Sequence, residues 1–225
     1  MGNGVRALGL DPSLTNFGWA IIDTAVEVGS RSRCESRGRF QTSAKDLFID
    51  RYVEMRERLR KLVRDEKPDV VGIEFPVFND LWSEGMYGLF LYSCEALKLE
   101  RQDVVFWSPM QVKSHARETL GRPKIDGKMW RMDKPDMVDA AKLDAGGGRW
   151  NHNEADAYLV GRLGARFWMM QRDLIRERDL TTVERRFFLE IKKHVRGKNA
   201  GRTILRGVMY RENERFFRWS AEEGE

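Results

Sequence analysis

The chain has little cysteine: Cys34 and Cys94 are the only two among 225 residues, and neither sits at metal-ligand spacing. That scarcity excludes a disulfide-stapled scaffold and a cysteine-based zinc module, and it implies two reduced thiols in a cytoplasmic protein. Three histidines, His115, His152 and His194, are too scattered for an all-histidine zinc site. Long apolar runs are missing too, since none approaches the roughly 18 residues a membrane span needs. The opening MGNGVRALGL lacks a basic stretch followed by an apolar one, so no secretory signal is expected. Arg6 stands where a myristoylation motif requires Ser or Thr. Internal repeats and low-complexity tracts are absent. With charged residues at 33% and hydrophobic ones at 41%, the composition is that of a soluble globular protein.

Positive charge is present, and its place says more than its size. The formal net charge is +5, and residues 166–225 hold 15 Lys and Arg against 10 Asp and Glu. The tail therefore carries the whole excess over a neutral core of residues 1–165, which favours a polyanionic partner. A solvated helical face is the ordinary alternative for any single basic residue there.

The stretch around which the chain is organised is residues 8–23, LGLDPSLTNFGWAIID. It reads as a buried strand ending at Asp11, a turn at Pro12, and a returning strand through Ile22. A third strand is expected within residues 33–42. A helix capped by Ser43 follows, with Leu47, Tyr52, Met55, Leu59 and Val63 at helical spacing, and Lys67-Pro68 ends it. Residues 69–73, DVVGI, form a continuously apolar strand of the buried parallel kind, closed by Glu74. Residues 81–97 suggest a largely apolar, buried helix, residues 103–106 another strand, and residues 111–120 another helix.

A polar segment, residues 121–134, has no clear period and reads as a long functional loop. Pro135 opens a helix, three glycines at 146–148 make a joint, and residues 153–170 form the last core helix, rich in small residues. Helical spacing continues over residues 173–195, and a hairpin is expected within 203–219, turning near residues 212–214.

Three acids stand out. Asp11 and Glu74 each close an apolar strand, where open α/β sheets place their sites, and a late helix supplies Asp156. Three carboxylates from distant segments suggest a divalent-metal site. For any one of them alone, a helix cap or a surface charge is the ordinary alternative.

The order of elements resembles a ribonuclease-H-like fold, an α/β architecture with a mixed five-stranded sheet flanked by helices. Five motifs narrow the resemblance: LGLDPSLTNFGWAIID (8–23), VVGIEFPVF (70–78), WSPMQVK (107–113), DKPDMV (133–138) and NEADAYLVGRL (153–163). Together, in this order, they resemble the RuvC-type Holliday junction resolvases over most of residues 6–165. The small size and unusual tail suit a phage-type member, which no residue establishes.

The resemblance implies a crossover junction endodeoxyribonuclease that hydrolyses phosphodiester bonds in four-way junctions with two Mg²⁺ or Mn²⁺ ions per site. It implies that Asp11, Glu74 and Asp156 are metal ligands. The family's fourth ligand is an Asp or a His, and here that position is Asn153, a weaker Mg²⁺ ligand. His152 and Glu154 are the neighbours that could replace it. Lys113 and Lys134 match family lysines near the scissile phosphate, where each could neutralise developing charge; a solvated loop lysine is the alternative.

Phe75 and Phe78 flank Pro76, and the family places in that loop an aromatic that can stack on an unpaired base. A core edge or a dimer contact is the alternative. The resemblance also implies a homodimer, with the helix at residues 81–97 a candidate interface. Basic residues of the long loop, Lys124, Lys128 and Arg131, are candidate DNA contacts. In the basic extension of residues 166–225, Arg185, Arg186, Lys192, Lys193, Arg196 and Lys198 are further candidates.

Other readings compete. A broader debranching or flap nuclease shares the chemistry. A junction-binding protein that has lost catalysis through Asn153 shares the partner. An actin-like or sugar-kinase-like ATPase also opens with a strand, an Asp and a polar turn, but the chain is short for two such domains and has no second phosphate loop.

Overall fold

The computed structural model describes residues 4–26, 32–75, 85–122 and 131–189 in full, and the backbone alone of residue 84 and of two strands at 208–211 and 214–217. Strand β1 (Gly4–Asp11) pairs antiparallel with β2 (Asn16–Ala25), which pairs antiparallel with β3 (Arg33–Gln41). Helix α1 (Phe48–Glu66) then leads to β4 (Val70–Glu74), parallel to β1 on its other side. Helix α2 (Glu84–Leu99) leads to β5 (Val104–Trp107), parallel to β4. The result is the expected mixed five-stranded sheet, in the order β3-β2-β1-β4-β5. The C-terminal pair of strands, β6 (Val208–Arg211) and β7 (Glu214–Phe217), extends it from the edge of β5. These two strands pair antiparallel within the region where the sequence suggests a hairpin.

Alternation along the strands sorts the core into two layers. Leu8, Leu10, Ile21, Val71 and Ile73 face α1 and α2. Val5, Ala7, Ala20, Ile22 and Val70 face the other layer, built from α3 (Pro109–Thr119), α4 (Lys134–Ala145), α5 (His152–Gln171) and α6 (Thr182–Phe188). Helix α5 crosses the sheet centre, where β1, β2 and β4 meet it. Among the described residues no helix is long and apolar enough to cross a membrane.

Several local expectations need correction. Helix α1 begins at Phe48, not at Ser43, because the Ser43 hydroxyl accepts from the Lys45 amide 3.1 Å away and closes a separate turn. Helix α2 is not wholly buried, since Tyr87 and Leu91 are about half exposed. Residues 173–195 do not continue as one helix. The backbone turns at Asp173, with φ of 56°, makes a short 3₁₀ turn at Glu177–Asp179, and resumes only as α6.

Helix α5 itself runs through residue 165 to Gln171 without a break. Phe187 and Phe188 of α6 are buried in the same apolar layer, and Arg166 pairs with Glu184 at 3.0 Å with both side chains buried. Burial pushes the Glu184 carboxyl up, but its bonds to Arg166 outweigh that and hold it below the usual range.

Candidate active site

Two glycines set the site's geometry. A Cβ on Gly9 of β1 would lie 1.8 Å from the Ala157 carbonyl, and one on Gly161 of α5 would lie 2.7 Å from the Gly9 Cα. Only glycine permits backbones this close. The crossing point is thereby fixed. Asp11 lies two residues beyond Gly9 on the same strand face, roughly 7 Å along the strand. Asp156 lies five residues before Gly161, also roughly 7 Å along the helix. Both displacements run toward the same end, because residue 153 of α5 lies over Gly18, the β2 partner of Asp11.

Glu74 arrives by the same logic. Gly9 and Leu10 pair with Gly72 and Ile73, and Gly72 also lies against α5. Glu74 is one residue past the last of these pairs, on the face of Gly72. All three acids thus sit where the parallel strands end, beneath the first turns of α5.

Two lysines face them from neighbouring helices. Ser108 caps α3 in a reciprocal bond with Gln111, with Pro109 in the first turn, and this places Lys113 beside Glu74 and Asp156. Asp133 caps α4 in the same way with Asp136, and this places Lys134 beside Asp11 and Asp156.

The carboxylates destabilise one another's charge. Burial first, then Glu74 and Asp156, hold the Asp11 carboxyl well above its usual range against the pull of Lys134. Burial and Asp156 push Glu74 up to about 8, opposed by Lys113. Burial raises Asp156 to about 6, opposed by Lys113 and Lys134. The Asp156 Oδ1 is buried with no hydrogen-bond partner among the described residues. Among the described residues, no three His, Cys, Asp or Glu side chains form a group that could hold a metal ion as they stand. The donor set is nevertheless hard oxygen, raised in pKa by burial first and by neighbouring carboxylates second, and it contains a buried oxygen without a partner among the described residues; each of these costs is what a divalent cation relieves.

No family model matches the chain. Crossover junction endodeoxyribonuclease RuvC of Paramagnetospirillum magneticum is 34% identical over 75 residues, 33% of this chain and 43% of that protein. The RuvC of Sphingopyxis alaskensis is 38% identical over 73 residues, 32% of this chain and 45% of that protein. The matches span less than half the length of these two relatives. The fold is shared with Thermus thermophilus RuvC in complex with Holliday junction substrate, at a TM-score of 0.58 and 18% identity over 70% of this chain and 90% of that one. Part of the chain is similar in sequence to RuvC, and its fold is ribonuclease-H-like.

The three candidates for a fourth ligand have other partners. The Asn153 side chain is buried, and its Nδ2 donates to the Asn16 carbonyl at 2.7 Å. Glu154 accepts from the Asn151 amide in the α5 cap and pairs with Arg37 at 3.4 Å and Arg39 at 3.9 Å, on the side of β3. His152 has its Nε2 3.4 Å from the Lys134 Nζ, and burial, Lys134 and Arg39 lower its pKa. Glu154 is thus held by the α5 cap and the β3 arginines, and Asn153 by its Nδ2 bond to β2.

Phe75 lies directly beyond Glu74, 37% exposed, and packs edge-on against Phe90 at 5.1 Å. Arg131 and Arg185 are exposed, while Arg186 lies over the Phe187 ring at 4.9 Å. Phe78, Lys124, Lys128, Lys192, Lys193, Arg196 and Lys198 lie outside the described residues.

No motif in the sequence marks a role for Arg37, Arg39 or Trp150. The Arg37 guanidinium stacks on the Trp150 ring at 3.9 Å and donates to the Arg149 carbonyl at 2.6 Å. The alternation of the two arginines on an edge strand is visible in the sequence, but nothing there indicates that this edge lies beside the site.

Proposed function

We propose that the chain is a metal-dependent, structure-selective endonuclease that nicks four-way DNA junctions by phosphodiester hydrolysis, leaving 5′-phosphate ends. The observation that carries this reading is the convergence of Asp11, Glu74 and Asp156 from three segments, raised together in pKa and flanked by Lys113 and Lys134. Sequence relatives named as crossover junction endodeoxyribonucleases support it.

In this reading Asp11, Glu74 and Asp156 hold Mg²⁺ or Mn²⁺, two ions per site, which supply an activated water and charge stabilisation when bound. The chain's own residues do the rest. Lys113 and Lys134 balance the negative charge that develops at the phosphate. Phe75 offers an aromatic face beside the acids, suited to an unstacked base at a branch point. A homodimer would present two such sites to two strands, and the half-exposed Tyr87 and Leu91 of α2 suit its interface. The site of action is the cytoplasm, where DNA is accessible.

The engagement of Asn153 with Asn16 favours a second reading, a protein that binds junctions without cutting them. Incubating the protein with labelled four-way junction, flap, fork and linear duplex in Mg²⁺ or Mn²⁺ separates these readings. Paired nicks confined to the junction support the first. Equal cutting of flaps and forks replaces it with a debranching nuclease. Tight junction binding with no cutting in either ion establishes the second.

A further inference from the structure

A line of cations leads away from the three acids. Lys134 acts on Asp11 and Asp156, and its Nζ lies 3.4 Å from His152. Arg39 acts on the same histidine. Arg39 and Arg37 flank the single Glu154 carboxylate at 3.9 and 3.4 Å. Arg37 then donates to the Arg149 carbonyl and stacks on Trp150. Beyond Lys134, which faces the acids, the line runs across the α5 cap to the β3 edge and sets one carboxylate, Glu154, among three arginines, Arg39, Arg37 and Arg149. The Arg149 side chain is exposed, and its backbone carbonyl accepts from Arg37.

Such a run is poorly explained as fold stabilisation, because one acid cannot neutralise three arginines. The local structure also holds it rigid. Glu154 is fixed by the α5 cap, and Trp150 is fixed by its Nε1 bond to the Gly147 carbonyl at 2.8 Å and by the Tyr158 ring at 5.3 Å. Preorganised guanidinium groups match phosphate oxygens in geometry as well as charge.

We propose that Arg39, Arg37 and Arg149 form a phosphate track for one DNA strand, which passes over the β3 edge and reaches Lys134 at the carboxylates. The track rests on the nuclease reading above and adds to it a DNA path distinct from the long loop and the C-terminal tail. Trp150 and Arg37 together form its far end, and Glu154 sets the spacing between the two β3 arginines.

The test is a binding titration of wild-type full-length chain with a labelled four-way junction in EDTA, over a range of KCl concentrations. Removing a cation that touches one phosphate lowers the slope of log K against log salt by about 0.9. The double variant Arg39→Gln, Arg149→Gln is expected to flatten the slope by about 2. The charge-keeping pair Arg39→Lys, Arg149→Lys is expected to restore it. Lys61→Gln with Arg64→Gln, near the far end of α1, is the control and leaves the slope unchanged. Should thermal unfolding show that Arg39→Gln perturbs the fold, Arg149→Gln alone is expected to flatten the slope by about 1.

A wild-type slope in either glutamine variant, with wild-type chain binding the junction, overturns the track and leaves the nuclease reading standing. Wild-type chain that binds no junction removes both.

Discussion

The side chain of Asn153 donates its Nδ2 hydrogen to the backbone carbonyl of Asn16 at 2.7 Å, joining α5 to β2 across 137 positions of sequence. This bond sits beside Gly18, where the α5 backbone approaches β2 too closely for a Cβ. Asn153 therefore positions the start of α5, and with it Asp156, through its Nδ2. A carboxylate at this place has no hydrogen to donate and would set a negative oxygen against a carbonyl. Asn153→Asp is expected to lower unfolding stability by about 1–3 kcal/mol, with Asn153→Ala costing a similar amount. Urea unfolding checks it. A stabilised Asn153→Asp variant in EDTA would show that the bond is dispensable.

The close approach at Gly9 makes a sharper demand. With the Ala157 carbonyl 1.8 Å from a built Cβ, Gly9→Ala forces α5 off the sheet. Overpacking of this kind against backbone is expected to cost about 3 kcal/mol or more. The variant should unfold at markedly lower temperature, or express only as insoluble chain. Thermal unfolding at the wild-type midpoint would contradict this packing.

The raised carboxyl groups make stability depend on pH in a defined direction. Unfolded Glu74 ionises near the ordinary 4.5, while the folded protein holds the proton up to about 8. Between those values the folded state binds more protons, so this group's contribution is complete below 4.5 and is lost as pH rises through 8. Asp156, raised from 3.8 to about 6, acts with the same sign over a lower window. In EDTA, stability is expected to fall between about pH 5 and 8, and Glu74→Gln is expected to flatten the decline. Urea midpoints at about pH 5, 6.5 and 8 measure both, and a Glu74→Gln series parallel to wild type would contradict the site's electrostatics.

The pairing of Arg166 with Glu184 ties α6 to the end of α5 inside the core. Removing one partner leaves the other charge buried, at a cost of about 3–5 kcal/mol. Glu184→Ala should show that loss in denaturant unfolding. A loss within experimental error would mean that α6 is only loosely attached.

Much of this arrangement is legible in the sequence, and the parts that are not share a cause. Asp11 and Glu74 can be read because buried parallel strands are continuous apolar runs and a charged residue marks their ends. Asp156 and the two lysines follow from motifs carried on helix starts. The roles of Asn153 and Glu154 are hidden because their partners, Asn16 and Arg37, lie on strands more than a hundred residues away. The start of α1 is misplaced because Ser43 makes a turn bond that looks, in sequence, like a helix cap. The break after Gln171 is hidden because apolar spacing continues across it, and only the left-handed Asp173 ends the helix.

The reading of Asp11, Glu74 and Asp156 as one catalytic group is tested most directly by junction cleavage with wild type and Asp11→Asn in Mg²⁺, alongside junction binding and thermal unfolding of both in EDTA. Removing one of three mutually repelling carboxylates is expected to reduce cutting to background, leave junction binding in place, and raise the unfolding temperature of the metal-free protein. An Asp11→Asn variant that still cuts at the wild-type rate would contradict that reading.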